Sequence, residues 1–508
     1  MIFTSRSDYK VIKSRIFQYF SHPKTTKEKV QKKFISNLVL MVFLNLLVKP
    51  FSVFGIDASV QNRVGADAYG MYFSLLNLTF LFNILMDLGI NNFTTKNISQ
   101  YPHIVKRYMG KLLSFRILLF TVYATITFGL GFALGYEVKE MSLLAFLVLN
   151  QFLANLISYF RSHFSGLLFF KTEALISVLD RLLLILFCGT LLLVTSSKSE
   201  FKIEWFIWIQ TICYGITAVI AFALLIKYIG IPQLSWHWTF SKAIVKKSLP
   251  YALLILLMMI YTRSDSVILE RLHFNGKHEA GIYAQGFRLL DAFFIFGMIF
   301  SNLLFPLFAH LLGKRESILP LLRTSGNLLI GGAFLLVCFC YFNSEYIVSL
   351  IYDENILQSI PSFRWLMLSF IGMCFSLIFG TLLTADGDLR ILNIFSFIAI
   401  IINVGLNFLL IPKYGAEGAG FTAFCTQCFI AGIQFIYCSK RFCFKFTAKA
   451  ISKYVLFICA IVGIFLLTEF LNLGLLSYLI ELAFGIIALF VFKMIDVKEL
   501  LAQFKDSE

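Results

Sequence analysis

The sequence predicts an all-α, polytopic membrane protein, and three observations carry the prediction. Of the 508 residues, 59% are hydrophobic and 14% are charged, and the mean hydropathy is +0.82, which soluble globular domains do not reach. Apolar stretches of about 20 residues, long enough to cross roughly 30 Å of hydrocarbon as a helix, recur from end to end. Lys and Arg are abundant in every second connecting segment and scarce in the others.

We predict about fourteen transmembrane helices. Backbone groups in lipid must be satisfied within their own segment, and the stretches are about twice as long as barrel strands, so they are helices. The predicted spans are 34–56, 69–94, 112–136, 141–162, 174–195, 205–229, 248–270, 281–309, 325–343, 361–383, 389–412, 416–439, 451–470 and 473–493.

The charge distribution predicts the orientation of the chain. With the N-terminus in the cytoplasm, 31 of the 44 Lys and Arg residues lie in inner segments, seven lie in outer segments and six lie within spans. This bias predicts that both termini are cytoplasmic, and it accounts for much of the net charge of +16 without a nucleic-acid partner. Residues 1–33 are predicted as a basic cytoplasmic segment, either a helix on the inner membrane surface or a mobile tail, and residues 494–508 as a cytoplasmic tail.

An internal repeat predicts the architecture. AYGMYFSLLNLTFLF and EAGIYAQGFRLLDAFF align Gly70 with Gly281 and Tyr72 with Tyr283. The same offset places the fifth span over the eleventh, so each copy holds six spans and the two copies run parallel about an axis along the membrane normal. We therefore predict two six-helix bundles, 34–230 and 247–440, around a central cavity, with an additional helix pair at 451–493.

Several function classes are disfavoured. The connecting segments are too short for the outer domain that a membrane glycan polymerase or ligase normally needs, and the chain has no GxxxxGK[ST] loop for a nucleotide. The ten cysteines are scattered, and the CxxC of Cys425 and Cys428 lies in an apolar helix without a second pair. Packing is the expected role of those cysteines, and we predict no metal and no cofactor.

Three cations lie at one depth. Lys49, Arg263 and Arg288 each fall roughly 10 Å from the outer end of their predicted helix. A charge at that depth faces either an ion-pair partner on another helix or a polar cavity, and the cavity is the favoured interpretation. Arg116 and Arg364 lie nearer to helix ends, where long side chains are expected to reach the membrane surface.

Uncharged polar residues and carboxylates also occur within the spans. They are predicted either to line the cavity or to hydrogen-bond between helices, and the cavity-lining candidates are Asn83, Asn91, Gln285, Asn403 and Asn407. The candidates for coupling transport to a proton or a sodium ion are Asp87, Asp265 and Asp291. Asp87 is taken to be unpaired. Glu270 and Arg271 are expected only to mark the outer end of the seventh span.

Two segments carry a family resemblance. IINVGLNFLLIPKYGAEGAGFTAF (401–424), and YTRSDSVILERL (261–272) followed by EAGIYAQGFRLLDA, resemble oligosaccharide-lipid flippases of the O-antigen type. These belong to the multidrug, oligosaccharidyl-lipid and polysaccharide exporter superfamily. The resemblance implies two bundles around a V-shaped cavity, which move a polyprenyl-diphosphate-linked oligosaccharide from the inner to the outer leaflet by alternating access.

The resemblance also implies a site and a setting. Lys49, Arg263 and Arg288 match the family's cationic cavity by location, and we expect Arg263 to face the other two as a diphosphate site. The implied setting is the cytoplasmic membrane of a bacterium, where O-antigen, capsule or exopolysaccharide is made, with membrane lipids and the polysaccharide assembly machinery as partners. The lipid-linked peptidoglycan precursor stays open as cargo. The alternatives are a multidrug or metabolite exporter of the same fold and a membrane glycan polymerase or ligase.

Overall fold

A computed structural model describes residues 43–45, 47–100, 105–195, 201–232, 235, 238–444, 448–471 and 474–495. The predicted basic segment 1–33 and most of the predicted tail 494–508 lie outside this part of the chain. Within it, the chain is helical and contains no strand. The helices are α1 Phe43–Leu81, α2 Ile90–Gln100, α3 Val105–Ala133, α4 Val138–Gly166, α5 Phe170–Val194, α6 Ile203–Ile229, α7 Trp238–Leu272, α8 Gly276–Lys314, α9 Leu319–Phe342, α10 Ser344–Ile351, α11 Ile356–Asp386, α12 Leu389–Arg441, α13 Ala448–Leu471 and α14 Leu475–Val491.

The predicted all-helical membrane fold is confirmed. Eleven helices in the described ranges are long and apolar enough to span a membrane. Two of these contain a sharp turn at a glycine: Gly65 in α1 has φ 79° and ψ 171°, and Gly415 in α12 has φ 51° and ψ −127°. Each of the two therefore crosses the membrane twice. With the shorter apolar helix α14, the described residues provide fourteen crossings, the predicted number.

The helices pack as two bundles and a pair. Helices α1 to α6 form the first bundle, helices α7 to α12 form the second bundle, and α13 and α14 pack on α9. We call the side that holds the turns at Gly65 and Gly415 the outer side, following the predicted orientation. The bundle limits at 34–230 and 247–440 remain predictions.

The return path of the chain after Gly65 is broken inside the membrane. Helix α1 ends at Leu81, a 3-10 turn covers Asn83–Met86, and α2 begins at Ile90. Leu88 and Gly89 have φ values of 43° and 78°, so the break is a change of backbone conformation and not a gentle bend. The expectation of one continuous helix over 69–94 is wrong at this point.

The hydrophobic cores show which side of the molecule is closed. On the outer side a single core includes residues of both bundles, among them Tyr72 of α1 and Tyr283 of α8. On the inner side the first bundle and the second bundle have separate cores, although Ala252 of α7 joins that of the first bundle. The two bundles are therefore joined most firmly at their outer halves.

The tightest contact between the bundles is the crossing of α1 and α8. A Cβ atom added at Gly70 would lie 1.9 Å from the carbonyl oxygen of Lys277, and one added at Gly281 would lie 2.1 Å from that of Ala66. The two backbones touch, and only glycine fits at either position. Because Gly70 and Gly281 are the residues that the repeat aligns, the equivalent helices of the two copies meet each other at this crossing.

Candidate functional site

Arg263 of α7 and Asp291 of α8 form a two-pronged ion pair. Nη1 of Arg263 donates to Oδ2 of Asp291 at 2.9 Å, and Nη2 donates to Oδ1 at 2.9 Å. Nη1 also lies 3.4 Å from Oδ1 of Asn77, which belongs to the first bundle. The side chains remain 19% and 26% exposed, so the pair lies at the boundary between the bundles and is reachable from it.

Arg288 crosses the same boundary three residues earlier on α8. Its Nε donates to the hydroxyl of Tyr69 at 3.0 Å, and its Nη2 lies 3.6 Å from Oδ2 of Asp57, both on α1. The buried Nη2 has no hydrogen-bond partner among the described residues. Arg263 and Arg288 thus both project from the second bundle against the first, and one guanidinium nitrogen still lacks an acceptor.

Lys49 has different surroundings. One turn before it, Nδ2 of Asn45 donates to Oγ of Ser177 at 3.0 Å, so this face of α1 packs on α5. The electrostatic neighbours of Lys49 are Arg161, Glu173, Asp180 and Arg181. The expected convergence of Lys49 with Arg263 and Arg288 is wrong, because equal depth in the membrane does not fix the direction in which a helix turns its side chains.

Around Lys49 the first bundle holds its own set of charges. Arg161 binds Glu173 through Nε at 3.0 Å and Nη2 at 2.6 Å, and Arg181 lies 3.5 Å from Asp180. The three cations outnumber the two carboxylates. The first bundle therefore has a cationic region of its own, and Asp57 is an electrostatic neighbour of both Arg181 in this region and Arg288 at the boundary.

Asp265 is buried within the second bundle. Its side chain accepts hydrogen bonds from Nδ2 of Asn403 at 2.9 Å and from Nδ2 of Asn407 at 2.7 Å, and from the hydroxyl of Tyr283 at 3.2 Å. It is 1% exposed and has no cationic partner in the part of the chain that the structure describes. Asn403 also contacts the hydroxyl of Thr426 at 3.3 Å, so hydroxyl and amide groups from α8 and from both halves of α12 surround this carboxylate of α7.

Asp87 is paired, contrary to expectation. Nη2 of Arg116 donates to Oδ1 of Asp87 and to Oδ1 of Asn91, both at 2.6 Å. The backbone N–H of Asn91 donates to Oδ1 of Asp87 at 3.1 Å. Arg116 is only 2% exposed and lies over the ring of Tyr159 at 4.5 Å, so the prediction that it extends to the membrane surface is also wrong. The pair joins the broken region to α3, which places Asp87 in a structural network.

The other polar candidates have partners as well. Asn83 donates to Gln151 at 2.8 Å and Asn91 donates to Ser158 at 3.0 Å, both within the first bundle. Gln285 donates to the carbonyl of Glu354 on the outer side at 3.1 Å. These contacts match the interhelical bonding that the sequence left as an alternative to cavity lining. Arg364 lies at the outer end of α11 and binds the carbonyl of Tyr341 and the hydroxyl of Ser344.

Sequence reasoning missed a charged cluster on the outer side. Glu140 of the first bundle accepts from Nη2 of Arg271 at 3.2 Å and from Nζ of Lys277 at 2.8 Å. Glu270 accepts from the Tyr136 hydroxyl at 2.8 Å and from Nε of Arg271 at 3.1 Å. Burial, followed by the Glu270 carboxylate, raises the pKa of Tyr136 above its ordinary value, so this hydroxyl stays a donor.

This outer cluster links the two bundles beside a polar cavity of about 300 Å³. Arg271 also lies 3.6 Å from the centre of the Tyr136 ring. Glu270 and Arg271 therefore do more than mark the end of a span. Only the position of these charges at helix ends was visible in the sequence, since their partners are more than a hundred residues away.

The fold is similar to that of solved multi-pass membrane transporters, among them proteins of the MOP superfamily. An inward-facing multidrug resistance MATE family transporter of that superfamily is similar, with 14% identity, 80% of this chain and 98% of that chain covered, and a TM-score of 0.58. Lipid II flippase MurJ in an inward closed conformation is similar with 15% identity, 91% of this chain and 100% of that chain covered, and a TM-score of 0.59. A MOP superfamily transporter from Pyrococcus furiosus is similar with 13% identity, 82% of this chain and 95% of that chain covered, and a TM-score of 0.53.

Family models identify the chain more closely. The model described as polysaccharide biosynthesis protein matches residues 32–312, more than half of the chain, and the MatE model matches residues 250–409. The chain belongs to the polysaccharide biosynthesis protein family. A search of curated proteins finds no match.

Proposed function

We propose that the protein moves a polyprenyl-diphosphate-linked oligosaccharide from the inner to the outer leaflet by alternating access. The observation that carries the proposal is the pair of arginines, Arg263 and Arg288, at the boundary between the bundles. A diphosphate needs positive charge and several donors, and the guanidinium group supplies both in a planar fork. Nη2 of Arg288 lies 3.6 Å from Asp57 but makes no hydrogen bond to a described residue, so it offers a buried donor for an anionic ligand.

The depth of these arginines suits the cargo. The diphosphate joins a membrane-embedded polyprenyl chain to a hydrated glycan, so it must cross the hydrocarbon in a protected polar site. Arg263 lies 5.3 Å from the Phe80 ring and 5.0 Å from the Phe287 ring, and Arg288 lies 5.2 Å from the Phe73 ring. Aromatic faces stabilise a guanidinium while one anion leaves and another arrives.

Asp265 is the proposed coupling site. A buried carboxylate without a cationic partner must bind either a proton or a cation. Carboxylate, amide and hydroxyl oxygens are hard ligands that suit a sodium ion, and Oδ1 of Asn407 has no hydrogen-bond partner in the described ranges. Of the three predicted coupling carboxylates, Asp87 and Asp291 are neutralised by arginines, which leaves Asp265 for this role.

The setting proposed for this activity is the cytoplasmic membrane of a bacterium, with both termini in the cytoplasm. There the protein would serve the synthesis of O-antigen, capsule or exopolysaccharide, and would contact the assembly machinery that receives its product. The family assignment supports polysaccharide synthesis as the process. The lipid-linked peptidoglycan precursor is the alternative cargo, because MurJ, whose fold is similar, is a lipid II flippase.

The test is complementation of a deletion strain. We expect the deletion to accumulate a lipid-linked oligosaccharide on the inner leaflet and to lose surface glycan, and the wild-type gene to restore both. Arg263→Ala and Arg288→Ala should restore neither, whereas Arg441→Ala, which removes an exposed charge at the inner end of α12, should restore both. Full restoration by both boundary variants at normal protein level would refute the proposed role of the arginines.

The identity of the accumulated lipid separates the cargo classes. Accumulation of the peptidoglycan precursor would replace the surface oligosaccharide as cargo, and drug sensitivity without any lipid accumulation would indicate an exporter. Coupling is tested with Asp265→Asn in vesicles that carry an imposed sodium or proton gradient. Transport by this variant should no longer respond to the gradient that drives the wild type, and an unchanged response would exclude Asp265.

A further inference from the structure

The carboxylate of Asp291 occupies the fork of Arg263. The two parallel hydrogen bonds, both 2.9 Å long, have the geometry in which a guanidinium also binds two oxygens of a phosphate. A diphosphate that binds Arg263 in this way must take the place of Asp291. The ligand and the internal carboxylate therefore compete for the same two donors.

Asp291 is held in place by little else. Among the described residues it makes hydrogen bonds to Arg263 alone, and its side chain is 26% exposed. Displacing it breaks no other hydrogen bond that the described residues show, and Arg288, one turn earlier on α8, is its second cationic neighbour. The rings of Phe80 and Phe287 stay on either side of the guanidinium, so Arg263 keeps its position when the carboxylate leaves.

We propose that Asp291 is an internal competitor for the diphosphate, an inference that rests on the function proposed above. In the empty transporter its carboxylate neutralises Arg263, so this guanidinium is not left unpaired within the membrane. Cargo binding displaces the carboxylate. On the outer side the returning carboxylate takes the guanidinium back and expels the diphosphate.

The location of Asp291 on the second bundle makes this cycle workable. Arg263 and Asp291 belong to the same bundle, so they stay together when the bundles separate. Asp57, the carboxylate nearest to Arg288, belongs to the opposite bundle and lies 3.6 Å away. Opening of the boundary takes Asp57 away from Arg288, whereas Asp291 remains within reach of Arg263 in both states. Asp291 is thus the carboxylate that can act at release.

The competition predicts opposite effects on binding and on turnover. An internal competitor reduces the apparent affinity for the diphosphate in proportion to the fraction of time during which Arg263 is free. Asp291→Asn should therefore bind farnesyl diphosphate, a short prenyl diphosphate, about fivefold more tightly than the wild type. In transport of the lipid-linked oligosaccharide it should lower both the apparent KM and the maximal rate, because release becomes slow.

The experiment is equilibrium dialysis of radiolabelled farnesyl diphosphate against the purified full-length protein in lipid nanodiscs. Asp386→Asn is the matched control, since Asp386 also pairs with an arginine but at the inner end of α12, and it should not change binding. Arg263→Ala should lose binding in the wild-type and the Asp291→Asn background alike. Asp291→Ser provides a second variant, and a melting curve of each protein verifies folding.

The outcomes separate this inference from the proposed function. Tighter binding by Asp291→Asn or Asp291→Ser, with binding lost in Arg263→Ala, supports both. If the wild type binds, Arg263→Ala does not, and the Asp291 variants bind equally or more weakly, internal competition is overturned and the proposed function stands. If neither the wild type nor the variants bind the probe, both proposals are overturned.

Discussion

Replacing Gly281 by alanine should open the outer side of the protein. The added Cβ would lie 2.1 Å from the carbonyl oxygen of Ala66 and 2.7 Å from its carbonyl carbon, whereas non-bonded carbon atoms pack at about 3.5 to 4 Å. The obstacle is backbone, which cannot swing aside as a side chain can. Helices α1 and α8 must therefore separate by roughly 1 Å, which is the direction of outward opening.

The size of the effect follows from the cost of overpacking. One additional carbon in a tight contact costs about 1 to 3 kcal/mol. The cost falls on the outer-closed state alone, since the contact does not exist once the bundles have separated. The ratio of outer-open to outer-closed molecules should therefore rise about fivefold to 150-fold.

A cysteine at position 74 reports this equilibrium. Ser74 is fully buried, and its hydroxyl donates to the carbonyl of Ser266 across the boundary at 2.9 Å. In a background without the ten native cysteines, Ser74→Cys should react with a membrane-impermeant maleimide from the outer side only when the boundary opens. Adding Gly281→Ala should increase the rate of labelling by the factor given above.

Gly129→Ala is the matched control for Gly281→Ala. No atom lies within 4 Å of a Cβ added at Gly129 in α3, so this alanine should leave the labelling rate unchanged. A labelling rate within twofold of the parent for a folded Gly281→Ala protein would refute the view that the helix crossing holds the outer side closed.

Three further substitutions test other contacts. Glu140→Gln removes the carboxylate that joins two cations of the second bundle to the first, and should raise the labelling rate about threefold to tenfold; an unchanged rate would contradict a closing role. Arg116→Met leaves Asp87 without its partner and should destabilise the purified protein by about 3 kcal/mol in thermal unfolding, whereas an unaltered melting curve would count against the pair. Asn343→Ala removes a 2.6 Å hydrogen bond to the buried Glu481 and should cost about 1 kcal/mol in the same measurement with normal transport, so a transport defect at normal stability would argue for a functional role.

The first two of these predictions have matched controls on the inner side. Glu316→Gln changes an exposed carboxylate there and should not affect outer labelling. Arg441→Met removes a 55% exposed arginine, and should leave the melting temperature nearly unchanged, because exposed ion pairs contribute about 0 to 1 kcal/mol.

The number of crossings and the repeat could be predicted because both follow from the order of residues in the sequence. Hydrophobic length sets the number of helices, and the match of Gly70 with Gly281 places the equivalent helices of the two bundles. The common depth of Arg263 and Arg288 stays a prediction, since it was taken from the distance to a predicted helix end. Each of these quantities depends on local sequence alone.

The partners of the charged residues could not be predicted in the same way. Lys49 and Arg263 lie at similar depth but face different helices, because the rotation of a helix is set by packing over its whole length. Asp87 looked unpaired because Arg116 is on another helix and its side chain is long. The break between Leu81 and Ile90 was hidden as well, since the polar residues that stabilise it have a spacing that also suits a continuous helix.

That break places two helix ends inside the membrane, and each carries a partial charge of fixed sign. The last carbonyls of α1 make its end at Leu81 partly negative, and the first backbone amides of α2 make its start partly positive. Asp87, which accepts the amide of Asn91, therefore balances both a guanidinium and a dipole. Exchanging the two charges, with Asp87→Arg and Arg116→Asp together, would conserve the ion pair but place a cation at the positive helix end. The helix dipole favours an anion at position 87, so the protein with the exchanged pair should melt at a lower temperature than the wild type.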